Sequence, residues 1–187
     1  IVIEDGTMPS QGKRNDLEDA MTDIKNGMKM IDVADKYPAQ YCRYFKGFEK
    51  YEVMHEKKRD FETEVIYIWG KVGTGKSRWA MDNYPSAEWV SYDGKYFTPN
   101  VCEDVLIFDE FDKWNISSGL VLKMLDRYPL KVFIKGGQVN FKARTVIMTG
   151  NKEFKKWGFY DPGVDRRLNR VIKMTGTEVS GNSMADT

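Results

Sequence analysis

Two spacings of apolar residues divide the chain. Between residues 13 and 60 they recur at helical intervals, and Leu17, Met21, Ile24 and Met28 form the first such series. Asn15-Asp16-Leu17-Glu18 ahead of it offers an N-cap with an acid three residues on, and Gly27 suits a C-cap. A second short helix is predicted from Met28 to Tyr37, stopped by Pro38. A third begins near Ala39 and puts Tyr41, Tyr44, Phe45, Phe48 and Tyr51 broadly on one side, slightly weakened by Gly47. The charged run Glu56-Lys57-Lys58-Arg59-Asp60 reads as a solvated end and a boundary. So small a bundle buries little surface alone, and is expected to pack on the rest of the chain or on copies of itself.

From Phe61 onward the spacing changes to short apolar runs alternating with helical stretches. Val65–Trp69, Val105–Phe108 and Thr145–Met148 are continuous apolar runs, with Trp89–Tyr92 a shorter fourth. Lacking polar alternation, they read as strands covered on both faces. Ser77–Tyr84, ended by Pro85, and Ser118–Arg127 read as the intervening helices. Lys131–Lys135 and Gln138–Phe141 flank Gly136-Gly137, the composition of a two-residue hairpin turn. The expected fold is α/β, a mostly parallel central sheet between helices, preceded by a small all-helical bundle. Four segments follow: a linker at 1–12 containing Gly6, Pro9, Ser10 and Gly12; a helical domain at 13–60; an α/β domain at 61–175; and a mobile tail at 176–187 without core residues.

Composition narrows the chemistry. The 187 residues suffice for one domain with a small appendage. No apolar stretch approaches the length of a transmembrane helix, and no signal peptide is visible. Cys42 and Cys102 cannot make a disulfide framework, which suggests a reducing, intracellular compartment. His55 is the single histidine, so no His-pair metal site exists. The chain starts at Ile1, so a piece of a longer protein or a processed product is expected. Net charge is only +1, yet residues 123–173 carry 13 basic and 4 acidic groups, a candidate polyanion-binding face or an ordinary solvated surface.

The strongest local signal is Gly70-Lys71-Val72-Gly73-Thr74-Gly75-Lys76-Ser77, which fits G-x-x-x-x-G-K-[ST], the P-loop. A phosphate chain needs several backbone N–H groups aimed at it, and glycines allow that approach. The following helix adds its positive N-terminal end. Lys76 can then reach the β/γ-phosphates, and the Ser77 hydroxyl can ligate Mg²⁺. Thirty-three residues beyond Lys76, the run Val105–Phe108 ends in Asp109-Glu110. In a P-loop protein such a pair holds Mg²⁺ through Asp109 and polarises the attacking water through Glu110. Asn151, after the run Thr145–Met148 and Thr149-Gly150, is placed to sense a γ-phosphate and orient water, though an Asn after a strand is ordinarily a turn residue. Arg166 and Arg167 are candidates for an arginine finger or for a surface pair with Asp165. Lys135, Gly136 and Gln138 lie at the predicted hairpin tip with Lys142 and Arg144 behind it, either a solvated turn or a contact to nucleic-acid phosphates.

Taken in this order, Gly70–Ser77, Asp109-Glu110, the Lys135-Gly136-Gly137 hairpin, Asn151 and Arg166-Arg167 resemble the superfamily 3 helicase domain. More closely, the chain is similar to the replication initiator proteins of small circular single-stranded DNA viruses of circovirus type. Leu125-Asp126-Arg127-Tyr128-Pro129-Leu130-Lys131-Val132, Phe141-Lys142-Ala143-Arg144 and Gln11-Gly12-Lys13-Arg14 carry that closer likeness, which covers residues 11 to about 174. The resemblance implies an ATP- and Mg²⁺-dependent DNA helicase of the AAA+-like P-loop class, serving rolling-circle replication in the host nucleus. It implies hexameric rings collared by residues 13–60, with Arg166 or Arg167 acting on the neighbour's nucleotide. It implies that the Lys135 hairpin tracks single-stranded DNA and that translocation runs 3′ to 5′. Lys71-Val72, Glu110 and Gly150 depart from residues common in such proteins (prolines, Asp and Ser) without removing a required group. The family's nicking domain needs two metal-binding histidines, so no DNA cutting is expected of this chain. The rival readings are a P-loop small-molecule kinase and a nucleotide-dependent assembly scaffold.

Overall fold

A computed structural model of the protein describes residues 15–55 and 59–175, and the backbone of 179–183. The predicted linker at 1–12 lies outside the described residues. The chain forms two compact units, divided between residues 57 and 58.

The first unit holds three helices: α1 (Asn15–Lys25), α2 (Met30–Lys36) and α3 (Pro38–His55). Ala20, Ile24, Val33 and Phe48 form its buried centre, with Tyr41, Tyr44 and Tyr51 packed around them. These aromatic positions are spaced by three and four residues and share a face. Phe45 falls one residue off that series and is 40% exposed, so it is not part of the stripe. Gly27 takes the left-handed conformation after α1 (φ 90°), the turn a Cβ would strain. Pro38 opens α3 at the first helical position, where its missing N–H costs nothing. Asp23 on α1 accepts from Lys36 Nζ (2.8 Å) and Tyr37 Oη (2.7 Å), and the Lys36 bond in particular lowers the pKa of its carboxyl.

The second unit is built on a six-stranded sheet: β1 (Glu64–Gly70), β2 (Glu88–Val90), β3 (Val105–Phe108), β6 (Thr145–Gly150), β7 (Arg170–Met174) and β8 (Val179–Ser183). Their spatial order is β2-β3-β6-β1-β7-β8, parallel except for β8. β4 (Leu130–Ile134) and β5 (Gly137–Phe141) form a separate antiparallel pair. Alternate residues of the central strands serve two cores. Val65, Tyr67, Leu106, Phe108, Val146 and Met148 face one core; Ile66, Ile68, Ile107, Ile147 and Ile172 face the other. Helix α4 (Lys76–Asn83) covers the second through Ala80 and Trp79; α5 (Ser118–Met124), the β4–β5 pair and an aromatic group around Phe111 and Trp157 cover the first. Burial on both faces is why these strands lack polar alternation. Among the described residues no helix is long and apolar enough to cross a membrane.

Three features differ from the expectation. β7 had no prediction, although it lies beside β1 and completes the site's frame. Val179–Ser183, assigned to the tail, pairs antiparallel with β7. Arg59, read as part of a solvated run, is only 3% exposed. Its guanidinium donates to the carbonyls of Lys123, Met124 and Tyr128 at 2.6–2.9 Å and lies over the Phe141 ring. It thus satisfies the orphan carbonyls at the end of α5 and anchors the base of the β4–β5 hairpin. Burial lowers its pKa from the usual arginine value.

Candidate nucleotide-binding site

Because β1, β3 and β6 are parallel neighbours, their C-terminal ends open on one side of the sheet. Each carries one of the predicted polar groups there: Gly70–Ser77 after β1, Asp109-Glu110 after β3, and Asn151 after β6. Gly70 has a packing reason beyond phosphate access. A Cβ there would stand 2.2 Å from the Met174 carbonyl oxygen, so only glycine lets β7 run past. Gly73 and Gly75 both have φ 84°, and Gly75 caps α4 in the left-handed region. Thr74 closes the loop on itself, its hydroxyl donating to the Lys71 carbonyl at 2.9 Å.

Lys76 is buried and bent back over the loop. Its Nζ donates to the Gly70 carbonyl (2.8 Å), the Lys71 carbonyl (2.9 Å) and Asn151 Oδ1 (3.2 Å). Burial pulls its pKa down, and the carboxylates of Asp109, Asp112 and Glu110 partly oppose that. An ammonium held by three neutral oxygens beside a glycine-rich loop is a cation short of an anion. Ser77 Oγ donates to Asp109 Oδ1 at 2.8 Å. These two hard oxygens can share one cation. Among the described residues no cluster of three or more His, Cys, Asp or Glu exists to cage a metal. That donor set fits Mg²⁺, which takes one or two protein oxygens and fills its shell with phosphate and water.

Thr149, unnoticed in the sequence, ties two of these motifs together. It is 1% exposed on β6, next but one to Asn151. Its Oγ1 donates to Asp109 Oδ1 (2.5 Å) and accepts from the Glu110 backbone N–H (3.0 Å). The Trp114 indole donates to the Asp109 carbonyl at 3.0 Å. Glu110 itself has φ 48°, the one non-glycine with positive φ among the described residues. Such a conformation costs about 1–3 kcal/mol and persists where surrounding bonds hold it. Its carboxylate meets Lys113 Nζ at 2.6 Å on the surface.

Arg166 and Arg167 lie at the other end of the sheet. They precede β7, and Asn169 just beyond them pairs with the backbone of Val65 at the start of β1. From Val65 to Gly70 is about 17 Å of strand at ~3.3 Å per residue. Neither arginine therefore joins the P-loop of its own chain. The structure also separates the two. Arg167 Nη2 meets Asp126 at 2.6 Å and its Nη1 donates to the Gly163 carbonyl at 2.7 Å. Arg166 is exposed and takes no part in that pair. Both line a cleft of about 300 Å³ with Arg127, Asp126 and Asn169.

The hairpin turn falls one residue earlier than its glycine pair suggested. Ile134 pairs with Gly137, so the two turn residues are Lys135 and Gly136, with Gly136 at φ 99°. A type II turn needs positive φ at its second central residue, so one glycine suffices and Gly137 belongs to the strand. Lys135, Gly136 and Gln138 are exposed, and Lys142 is half-buried beyond the end of β5.

A parallel sheet with a P-loop after one strand and an acidic pair after a near neighbour defines a P-loop NTPase. Comparison with known proteins narrows this. The RNA helicase family model matches residues 66–152, from β1 past Asn151. The replication-associated protein of goose circovirus is 36% identical over 88% of this chain and 57% of its own length. That of porcine circovirus 1 is 35% identical over 100% of this chain and 61% of its own. That of beak and feather disease virus is 33% identical over 91% and 60%. The chain thus resembles the RNA helicase family across the core of its sheet and circovirus replication-associated proteins along most of its length, and it spans about six-tenths of the length of these relatives.

Proposed function

We propose that this chain is the ATP-driven DNA-unwinding part of a viral replication initiator, acting in rolling-circle replication in the host nucleus. The observation that carries the reading is the meeting of Lys76, Ser77, Asp109, Thr149 and Asn151 at one end of a parallel sheet, in a chain related to viral replication-associated proteins. Backbone N–H groups of Gly73–Lys76 and the Lys76 ammonium hold the triphosphate. Bound Mg²⁺, on Ser77 and Asp109, would neutralise charge on the β- and γ-phosphates. Glu110 accepts a proton from the attacking water, and Asn151 orients that water. Glu110 must first leave Lys113; as an exposed, solvent-screened pair the two are held only weakly.

The arginine finger is Arg166, supplied to a neighbouring copy in a homo-oligomeric ring, six-membered by family likeness. Its exposure supports this role, while Arg167 is occupied with Asp126. The Lys135 tip carries a phosphate of single-stranded DNA, moving 3′ to 5′. The test is ATP turnover with and without single-stranded DNA. DNA-stimulated hydrolysis that disappears in Lys76→Ala and Glu110→Gln is expected. A small-molecule kinase would show no stimulation, and a scaffold would bind nucleotide without Glu110-dependent turnover.

A further inference from the structure

Tyr67 lies on β1 and is fully buried, three residues before the P-loop begins. Its hydroxyl donates to the Lys152 carbonyl (2.5 Å) and accepts from the Trp157 indole N–H (3.0 Å). The Trp157 ring also meets the Tyr67 ring edge-on, 4.9 Å between centroids. Lys152 directly follows Asn151, the residue that meets Lys76. Burial raises the Tyr67 pKa, so it stays a neutral donor throughout the working range.

On the strand beside it, Gly150 directly precedes Asn151 and leaves the space that Tyr67 fills. A Cβ built on Gly150 would stand 2.1 Å from the Tyr67 hydroxyl and 3.0 Å from its Cζ. The same point is 3.1 Å from Asp112 Oδ1, a buried oxygen with no hydrogen-bond partner. A large hydroxylated ring on β1 and a missing side chain on β6 therefore form one packing unit. That unit grips the backbone on both sides of Asn151.

We propose that Tyr67 is a positioning residue for Asn151, working as an interlocked pair with Gly150. It touches neither nucleotide nor metal. It fixes the carbonyl after Asn151, and through it the direction of the amide that would face a γ-phosphate. This inference rests on the ATPase reading above.

The pair makes a size-exchange test possible, with steady-state ATP turnover and a thermal melt measured for each variant of the 187-residue chain. Tyr67→Phe keeps the ring and removes the grip. It should lower kcat by about tenfold with KM for ATP within about twofold, the signature of an interaction made late in the reaction. Gly150→Ser, which drives an atom into the hydroxyl, should lose about a hundredfold or fail to fold. The double variant Tyr67→Phe/Gly150→Ser moves the hydroxyl from one strand to the other. It removes the 2.1 Å clash, leaves the ring Cζ in a tight 3.0 Å contact that a few tenths of an ångström would ease, and sets a donor near Asp112, so it should recover most of the way to the Tyr67→Phe rate.

A Tyr67→Phe protein that melts lower yet keeps full kcat well below its melt would show a purely structural residue and overturn the proposal. So would a double variant no better than Gly150→Ser. Wild type and Lys76→Ala are run alongside. Turnover that survives Lys76→Ala, or is absent from wild type, refutes the ATPase reading and the proposal together. Lys76-dependent turnover with Tyr67→Phe unimpaired refutes the proposal alone.

Discussion

Thr149→Val removes one oxygen and nothing else of size. Valine matches the threonine shape, so packing on β6 is kept and the two hydrogen bonds are lost. The first is the bond to Asp109 Oδ1, to which Ser77 still donates. The second leaves the partly buried Glu110 N–H without an acceptor. A bond to a charged acceptor is worth about 1.5–3 kcal/mol and an orphaned N–H about 1–3 kcal/mol. The two share one hydroxyl and Asp109 keeps another partner, so the total sits at the low end, about 2–3 kcal/mol. For a domain of this size that lowers Tm by about 5–10 °C. Turnover should fall further than stability suggests, about tenfold or more, because Asp109 and Glu110 are both aimed by this hydroxyl. Thr149→Ser keeps the oxygen and should retain most of the activity. The assay is a thermal melt paired with ATP turnover well below it. A Thr149→Val protein with wild-type Tm and turnover would refute the reasoning, and so would Thr149→Ser behaving like Thr149→Val.

Four further outcomes follow from the geometry. Arg166→Ala should fold normally and abolish turnover, while mixing it with Lys76→Ala protein restores part of the activity through sites built from one good half of each. Arg167→Ala should instead lower the melting temperature, because Asp126 loses its partner. Asp126 has its pKa lowered below the usual 3.8, chiefly by the Arg167 bond, so its contribution is present above that pH and disappears as pH falls through the folded-state value. Asp126→Asn should therefore cost stability in melts at pH 7 and progressively less as the pH is taken below 3.8. Lys76 has a pKa lowered by burial, and bound phosphate would raise it again. Binding of a non-hydrolysable ATP analogue should take up protons increasingly as pH rises toward 10, read by calorimetry in two buffers of different ionisation enthalpy.

The parts of this protein that could be read in its sequence are those whose signal is local. Gly70–Ser77 and Asp109-Glu110 announce themselves because the phosphate and carboxylate chemistry sits on consecutive residues. β1, β3 and β6 are visible because both faces are buried. β7 escaped because Arg170 and Lys173 interrupt its apolar run. Both side chains are exposed and their cationic groups lie over the rings of Trp79 and Trp69, contacts that a pattern of polarity cannot foresee. Thr149 escaped because a threonine in a strand is an ordinary β-former, and its task comes from residues 39 and 40 positions away. Arg59 was hidden in a run of charges. Arg166 and Arg167 could not be told apart until Asp126, 41 residues earlier in the chain, claimed one of them.

If Arg166 serves a neighbouring copy, as proposed, its placement at one end of the sheet and that of the P-loop at the other would give an assembly a direction. Each copy would receive at one end and donate at the other, like links that hook one way. An open row of such copies always ends in one cradle with no finger and one finger with no cradle. Only closure removes the idle pair. Catalytic output per chain then depends on how the row ends as well as on how many copies join it. Dilution should silence the protein before it unfolds any single copy.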